Sequence, residues 1–395
     1  VTVPADRPGR GHGHGRGRRI VRRSVRTLAT LLVLGVAAVA GIAWYFSGAA
    51  LAVDHSPYYP YVVQRAVGGT VQLDRDRWSE VPGRYGLRWA GGYGTVGDVT
   101  AAAPGAHPGS VVRSFTPVTG TPAAGTPVWV DPFAYTGDPR TALGLAYSEV
   151  AVPGDGGDLP TWYVPGATGA TTWVVFVHGR GGTREESLRY LKAWNARGLP
   201  VVVPMYRNDV GAPASPDGRY HLGDTEWRDA AAAVRWAQGQ GARDVVLAGW
   251  SMGGAIALQV ADRSDVARAV RGLVLDSPVL DWRDTFARQG ADRGLPPWVT
   301  AVAVRAVEAR ADVDLDRFDW PARAADLKVP VLLFHSEDDT FVPDGPSRAL
   351  ARARPDLVTF VDVPGAEHTR AWNVDPARYE QAMADWFIRT GIAAT

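Results

Sequence analysis

The segment Asp244–Gly254 reads DVVLAGWSMGG, and its interpretation decides the architecture. Asp244–Ala248 is a short, β-branched apolar run, the pattern of a strand buried on both faces. It ends in Gly249-Trp250-Ser251-Met252-Gly253, and an apolar helical run, Ala255–Val260, follows. Glycines on both sides of a central serine predict a strand-to-helix turn too crowded for a Cβ at Gly249 and Gly253. Such a turn lifts the Ser251 hydroxyl above the sheet. It also aims the helix N-terminus, with the Met252 amide, at a negative charge developing there. An ordinary tight turn is the competing reading, and the buried strand before it and the helix after it weigh against that.

Similar apolar bursts recur on either side. Glu149–Val152 and Leu159–Val164 read as a hairpin, followed by Trp173–Val177, Pro200–Met205, Gly272–Leu275, Val329–Phe334 and Leu357–Val361. Helical stretches, including Glu185–Arg197 and Thr225–Gln240, lie between most of them. The alternation predicts an α/β fold over residues 147–395, a mostly parallel central sheet with helices on both faces. An Arg- and Asp-rich insertion at 283–327 interrupts it, with Val299–Arg310 helical and Trp298, Phe318 and Trp320 as its candidate substrate-facing residues. Residues 54–125, rich in Gly, Pro, Thr, Tyr and Trp, predict short strands and turns in a small β-rich region, or an extended arm.

A serine hydroxyl becomes a nucleophile only when a base takes its proton and a carboxylate orients that base. The absence of cysteine excludes a thiol nucleophile, a disulfide framework and zinc-finger spacing. Of the eight histidines, His12, His14, His55, His107 and His335 are set aside as tail, membrane-proximal, loop or strand-end residues. His178 opens the loop after Trp173–Val177, and His221 lies in a polar segment. His368, in Pro364–Thr369 (PGAEHT) between a strand and the helix Pro376–Ile388, is the best-placed base; a polar loop histidine is the bland alternative. Glu337, Asp338 and Asp339 lie in FHSEDDTFVP (334–343), beyond a buried strand. Three adjacent acids are usually a solvated turn, so at most one is catalytic, and Asp276 at the end of the preceding strand is their rival.

With these residues in place the chain resembles the α/β-hydrolase family over residues 147–395. That family's chain order of serine, acid and histidine is followed by Ser251, Asp339 and His368. Asp339-Thr340-Phe341-Val342-Pro343 matches its D-x-x-V-P acid loop, which favours Asp339 over Asp338 and Asp276. Val177–Gly182 matches its H-G oxyanion loop; the resemblance implies that the Arg180 backbone amide joins that of Met252, with His178 organising the loop. It also implies that 283–327 is a small helical lid. The expected activity is that of a serine hydrolase cleaving a carboxylic ester or related acyl bond, with no metal or organic cofactor. A serine peptidase or amidase on the same triad, and an inactive binding protein on the same fold, are the alternatives. The substrate would be a small-molecule or peptide acyl compound. His178, Trp250, Arg207, Trp282 and Trp372 are candidate substrate-binding residues. Arg180, Arg184 and Arg207 would hold a charged group or, the preferred reading, brace the loops through ion pairs.

The N-terminus is a different kind of sequence. The net charge of +1 averages a tail at 1–26, with eight Arg against Asp6 alone, and a remainder of net charge −6. Residues 27–53 carry no charge, and the nineteen-residue apolar run Leu28–Phe46 matches a hydrocarbon core of roughly 30 Å. Trp44, Tyr45 and Phe46 close it where aromatic rings prefer the interface. The expected organisation is a cytoplasmic basic tail (1–26), a single-pass anchor (27–48) in the cell membrane and an extracytoplasmic body. The alternative is a signal sequence cleaved near Ala52, since Ala50-Leu51-Ala52 fits the small-residue pattern. The arginines serve as a topology determinant in this reading, and nucleic acid is not a partner.

Overall fold

The computed structural model describes residues 14–100 and 109–392; the expectations for His12, His107 and the first half of the basic tail lie outside them. The apolar run belongs to one unbroken helix, α1 (His14–Leu51), about 57 Å long at 1.5 Å per residue. By length and composition it is able to cross a membrane, and most of its apolar surface is exposed, including Leu28, Leu32, Val36 and Trp44. Among its described side chains only the last turns are covered, through Ala43, Ser47 and Leu51, one stripe at a spacing of four.

The β-rich region is a closed barrel, not an extended arm. Its strands are β1 (Tyr61–Val67), β2 (Thr70–Asp74), β3 (Tyr85–Trp89), β4 (Gly92–Thr100), β5 (Ser110–Thr119) and β6 (Pro127–Asp131). All pairs are antiparallel, in the order β1-β2-β5-β4-β3-β6 with β6 returning to β1, so no edge is left unpaired. Val63, Val71, Leu73, Leu87, Val96 and Val128 fill the interior. The fully buried Arg113 donates to the carbonyl oxygens of Ser79, Val81 and Gly83 in the loop between β2 and β3, and to Gly97 O where the β4 register shifts.

A short helix, α2 (Pro139–Leu143), leads into an eight-stranded sheet. Its strands are β7 (Ser148–Gly154), β8 (Gly157–Val164), β9 (Thr172–Val177), β10 (Val201–Pro204), β11 (Asp244–Trp250), β12 (Val270–Asp276), β13 (Val331–His335) and β14 (Val358–Asp362). The order is β14-β13-β12-β11-β9-β10-β8-β7, parallel from β14 to β10 and antiparallel across β8 and β7. The helices are α3 (Leu188–Asn195), α4 (Trp227–Gly239), α5 (Met252–Arg263), α6 (Trp282–Asp292), α7 (Pro297–Ala311), α8 (Gly345–Ala353), α9 (Ala371–Val374) and α10 (Pro376–Thr390).

Residues alternating along each strand feed two cores. Trp173, Val175 and Val177 pack with Ala230 and Ala233 of α4 and Ile256 of α5, while Val174 and Phe176 pack with Leu191 and Trp194 of α3 and Met383 of α10. Burial on both faces is why these strands read as continuous apolar runs. Helices α6 and α7 are the insertion between β12 and β13. Of the three aromatics expected to face substrate there, Trp298 is 60% exposed, whereas Phe318 and Trp320 are buried in the core under the insertion.

Candidate active site

The elbow between β11 and α5 is strained where the sequence predicted it. Ser251 has φ 54° and ψ −120°, a region that an L-residue occupies only when its surroundings over-determine it. The surroundings do so through contact. A Cβ on Gly249 would overlap the Gly253 backbone, and one on Gly253 would overlap the carbonyl oxygens of Val177 and His178. The Ser251 amide donates to Asp276 O at 3.0 Å, fixing the turn to the end of β12.

His368 reaches the same point from the loop after β14. Ser251 Oγ donates to His368 Nε2 across 2.9 Å, and His368 Nδ1 donates to Asp339 Oδ2 across 2.7 Å. The other Asp339 oxygen accepts from the amides of Phe341 and Val342, each at 2.9 Å. Burial works against the Asp339 charge, but the facing His368 and hydrogen bonds from His335 and His368 hold its pKa well below the usual carboxylate range. Burial likewise opposes the His368 imidazolium. The Asp339 carboxylate, with lesser help from Asp276 and Glu186, outweighs it and raises the pKa above 6.5.

Asp276 stands apart from this chain of contacts. It is fully buried, accepts one hydrogen bond from Ser277 Oγ at 3.2 Å and leaves Oδ2 without a partner among the described residues. Burial pushes its pKa up to about 7 against the opposing charges of Arg189 and His335.

The loop after β9 passes beside the elbow. A Cβ on Gly179 would come within 3.4 Å of Ser251 Cβ, so the two backbones run in contact. Among the described residues the backbone amides of Arg180 and Met252 donate to no protein acceptor. Two groups missed from sequence, Glu186 and Arg189, brace this region together with His335, which the sequence reading set aside as a strand-end residue. Glu186 accepts from the Gly179 amide at 2.8 Å and pairs with the buried Arg189, whose guanidinium donates to Thr369 O and Asn373 Oδ1, both at 2.8 Å. The loop after β9 and the His368 loop are therefore held by one buried ion pair. His335 Nε2 lies 3.3 Å from Asp339 Oδ2, and its Nδ1 is 2.7 Å from Ser347 Oγ. Glu186 and Arg189 gave no signal because both sit in a helical stretch that reads as an ordinary solvated face.

A cleft of about 660 Å³ opens above Ser251 and His368. Of the five candidate substrate residues, Trp282 lines it and the other four do not. His178 is fully buried, with Nε2 2.8 Å from Asp209 Oδ2, Nδ1 2.9 Å from Gly179 O and its ring stacked on Tyr206. Trp250 is fully buried and donates to Tyr190 Oη; Trp372 is covered by the aromatic core and donates to Glu380. Arg207 is locked in a two-point pair with Asp229. Ion-pair bracing thus describes Arg207, and Arg184, which pairs with Glu149 and stacks on Trp162. Arg180 instead donates to Ala49 O and Ala52 O at the end of α1 and lies over Tyr220. His55 contacts Asn208 O at 2.7 Å, and His221 faces Asp217. Trp78 and Trp129 of the barrel and Phe133 just after it also line the cleft.

A serine elbow on a sheet of this strand order, with acid and histidine loops at the same edge, defines the α/β-hydrolase architecture. Residues 174–382 match the model of the alpha/beta hydrolase family, and the chain belongs to that family. Residues 62–131, the barrel, match a domain of unknown function (DUF8805). The uncharacterized protein Rv2307c of Mycobacterium tuberculosis (strain ATCC 25618 / H37Rv) is 30% identical over 218 residues, covering 54% of this chain and 69% of that protein. Two crystal forms of the esterase Pf2001 of Pyrococcus furiosus superpose with TM-scores of 0.52 and 0.51 at 18% and 19% identity. They cover 65% and 64% of this chain and 94% of the esterase, a likeness of fold.

Proposed function

We propose that this hydrolase-family chain is a serine hydrolase that cleaves carboxylic esters through an acyl-enzyme intermediate. The observation that carries the reading is the Ser251–His368–Asp339 hydrogen-bond chain, with the Arg180 and Met252 amides lacking a protein acceptor among the described residues. Ser251 Oγ attacks the ester carbonyl carbon while His368 Nε2 takes the hydroxyl proton. The amides of Arg180 and Met252 receive the oxyanion. Collapse expels the alcohol, which takes the proton from His368. Water, deprotonated by the same nitrogen, then attacks the acyl-serine and releases the carboxylic acid. Asp339 keeps Nδ1 protonated and stabilises the imidazolium without accepting its proton.

The reading includes α1 as an uncleaved single-pass anchor, with the arginine-rich side cytoplasmic and the body outside. Its exposed apolar surface supports this. Cleavage near Ala52 fits less well, because Leu51 is 1% exposed in the main core and its carbonyl accepts from the Tyr220 amide at 3.0 Å.

The test compares the full chain with Ser251→Ala on para-nitrophenyl acetate and on matched para-nitroanilides. Ester turnover by the parent, lost by a factor of ~10³ or more in the variant, is expected. Equal turnover by the two proteins would contradict the proposal, and preference for the anilide would replace esterase by amidase.

A further inference from the structure

The cleft above Ser251 is walled in part by the end of the helix read as the anchor. Phe46, Ser47, Ala49 and Ala50 of α1 line the same cleft as Ser251 and His368. The helix runs without a break from His14 to Leu51, so no linker separates the apolar span from the cleft wall. Trp44 and Tyr45, both largely exposed, mark the interfacial level, and Ala50 lies only about 9 Å further along the axis.

This end of α1 is fixed in place. The Arg310 guanidinium donates to Trp44 O and Ser47 Oγ, each at 2.7 Å, and stacks 3.9 Å from the Trp44 ring centre. Arg180, whose backbone amide borders the reaction centre, grips Ala49 O at 3.0 Å and Ala52 O at 2.9 Å. The insertion supplies further apolar wall, through Phe286, Ala303 and Val307. On the outside of α7, Trp298 and Val302 are exposed and carry no charge. A soluble, polar acyl substrate gains nothing from an apolar cleft seated at interfacial depth. A long acyl chain does, because it passes from bilayer to cleft without its methylenes meeting water.

We propose that the substrate is a long-chain acyl ester resident in the membrane that α1 spans, with its acyl chain received between α1 and the α6–α7 insertion. This rests on the serine-hydrolase reading above. Ser251 Oγ takes the acyl group and the C–O bond of the ester breaks. The alcohol-bearing remainder of the lipid leaves with the proton carried by His368, and water then releases the fatty acid.

The experiment places the full chain in phosphatidylcholine vesicles and measures cleavage of para-nitrophenyl palmitate and para-nitrophenyl acetate. Palmitate is supplied either in the vesicles that hold the protein or in separate ones. Turnover at least ~10-fold faster in the protein's own vesicles is expected. Ala49→Trp and Ala303→Phe, which fill the cleft from α1 and from α7, are expected to lower the palmitate-to-acetate ratio of kcat/KM by ~10-fold or more. Val36→Phe, on the exposed part of the same helix, keeps the parent ratio. Equal rates in the two vesicle arrangements, or an unchanged ratio in both cleft variants with acetate still cleaved, overturns the lipid-ester assignment alone. Failure of the parent to cleave either ester overturns the hydrolase reading with it.

Discussion

His368 Nδ1 donates to Asp339 Oδ2 across 2.7 Å, and His335 Nε2 stands 3.3 Å from the same oxygen. With Oδ1 held by the Phe341 and Val342 amides, both carboxylate oxygens have partners before any substrate arrives. Because the Asp339 charge raises the His368 pKa above 6.5, the neutral imidazole needed as base forms only at higher pH. The expected profile is a kcat/KM for ester hydrolysis that rises with pH through a midpoint above 6.5. Asp339→Asn removes the main group raising that pKa, so the midpoint moves down while the plateau falls by ~10³–10⁴. A variant with the parent plateau and midpoint would remove Asp339 from the account.

Gly253 tests the elbow's packing. A Cβ there meets backbone carbonyl oxygens of Val177 and His178, which cannot turn aside as a flexible side chain would. Gly253→Ala is expected to destabilise the protein by at least ~3 kcal/mol or to prevent folding. Gly345→Ala, where a Cβ meets nothing within 4 Å, is expected to shift stability by less than ~1 kcal/mol. Denaturant titration of the two variants makes the comparison, and equal shifts would contradict the packing argument.

Strands β9 to β13 were readable because each is covered on both faces, so nearly every residue is apolar. The elbow was readable because close backbone contact forces glycine at fixed positions around Ser251. His368 was chosen by its place in a loop between a strand and a helix, whereas position left Asp339 level with its neighbouring acids and Asp276, and only the resemblance to the family's acid loop favoured it. Other features depend on pairings that no local pattern carries. The barrel closes through β6 meeting β1 and β3, strands far apart in sequence, and its alternation is short and irregular. Trp250 and Trp372 are adjacent in sequence to Ser251 and His368 loops, yet their rings point into the aromatic core around Tyr190. Trp78 and Trp129, distant in sequence, reach the cleft because the barrel is seated beside it. Aromatic content alone does not separate the two outcomes.

Asp276 gives a stability signature with a defined sign. Its pKa in the folded protein is about 7, raised from 3.8, so the fold favours its protonated form. That contribution is fully present below pH ~4 and is lost as pH rises towards 7, at a cost of at most about 4 kcal/mol. Asp276→Asn removes the titration while keeping the shape. Its Tm relative to the parent is expected to be higher at pH 8 than at pH 4.5. A Tm difference independent of pH would show that Asp276 is ionised in the fold.

The most direct test of the central claim is covalent labelling of the full chain with a fluorophosphonate, followed by peptide mass mapping. The account predicts stoichiometric label on Ser251 in the parent and none in Ser251→Ala. No label on the parent, or equal label on the variant, would contradict it.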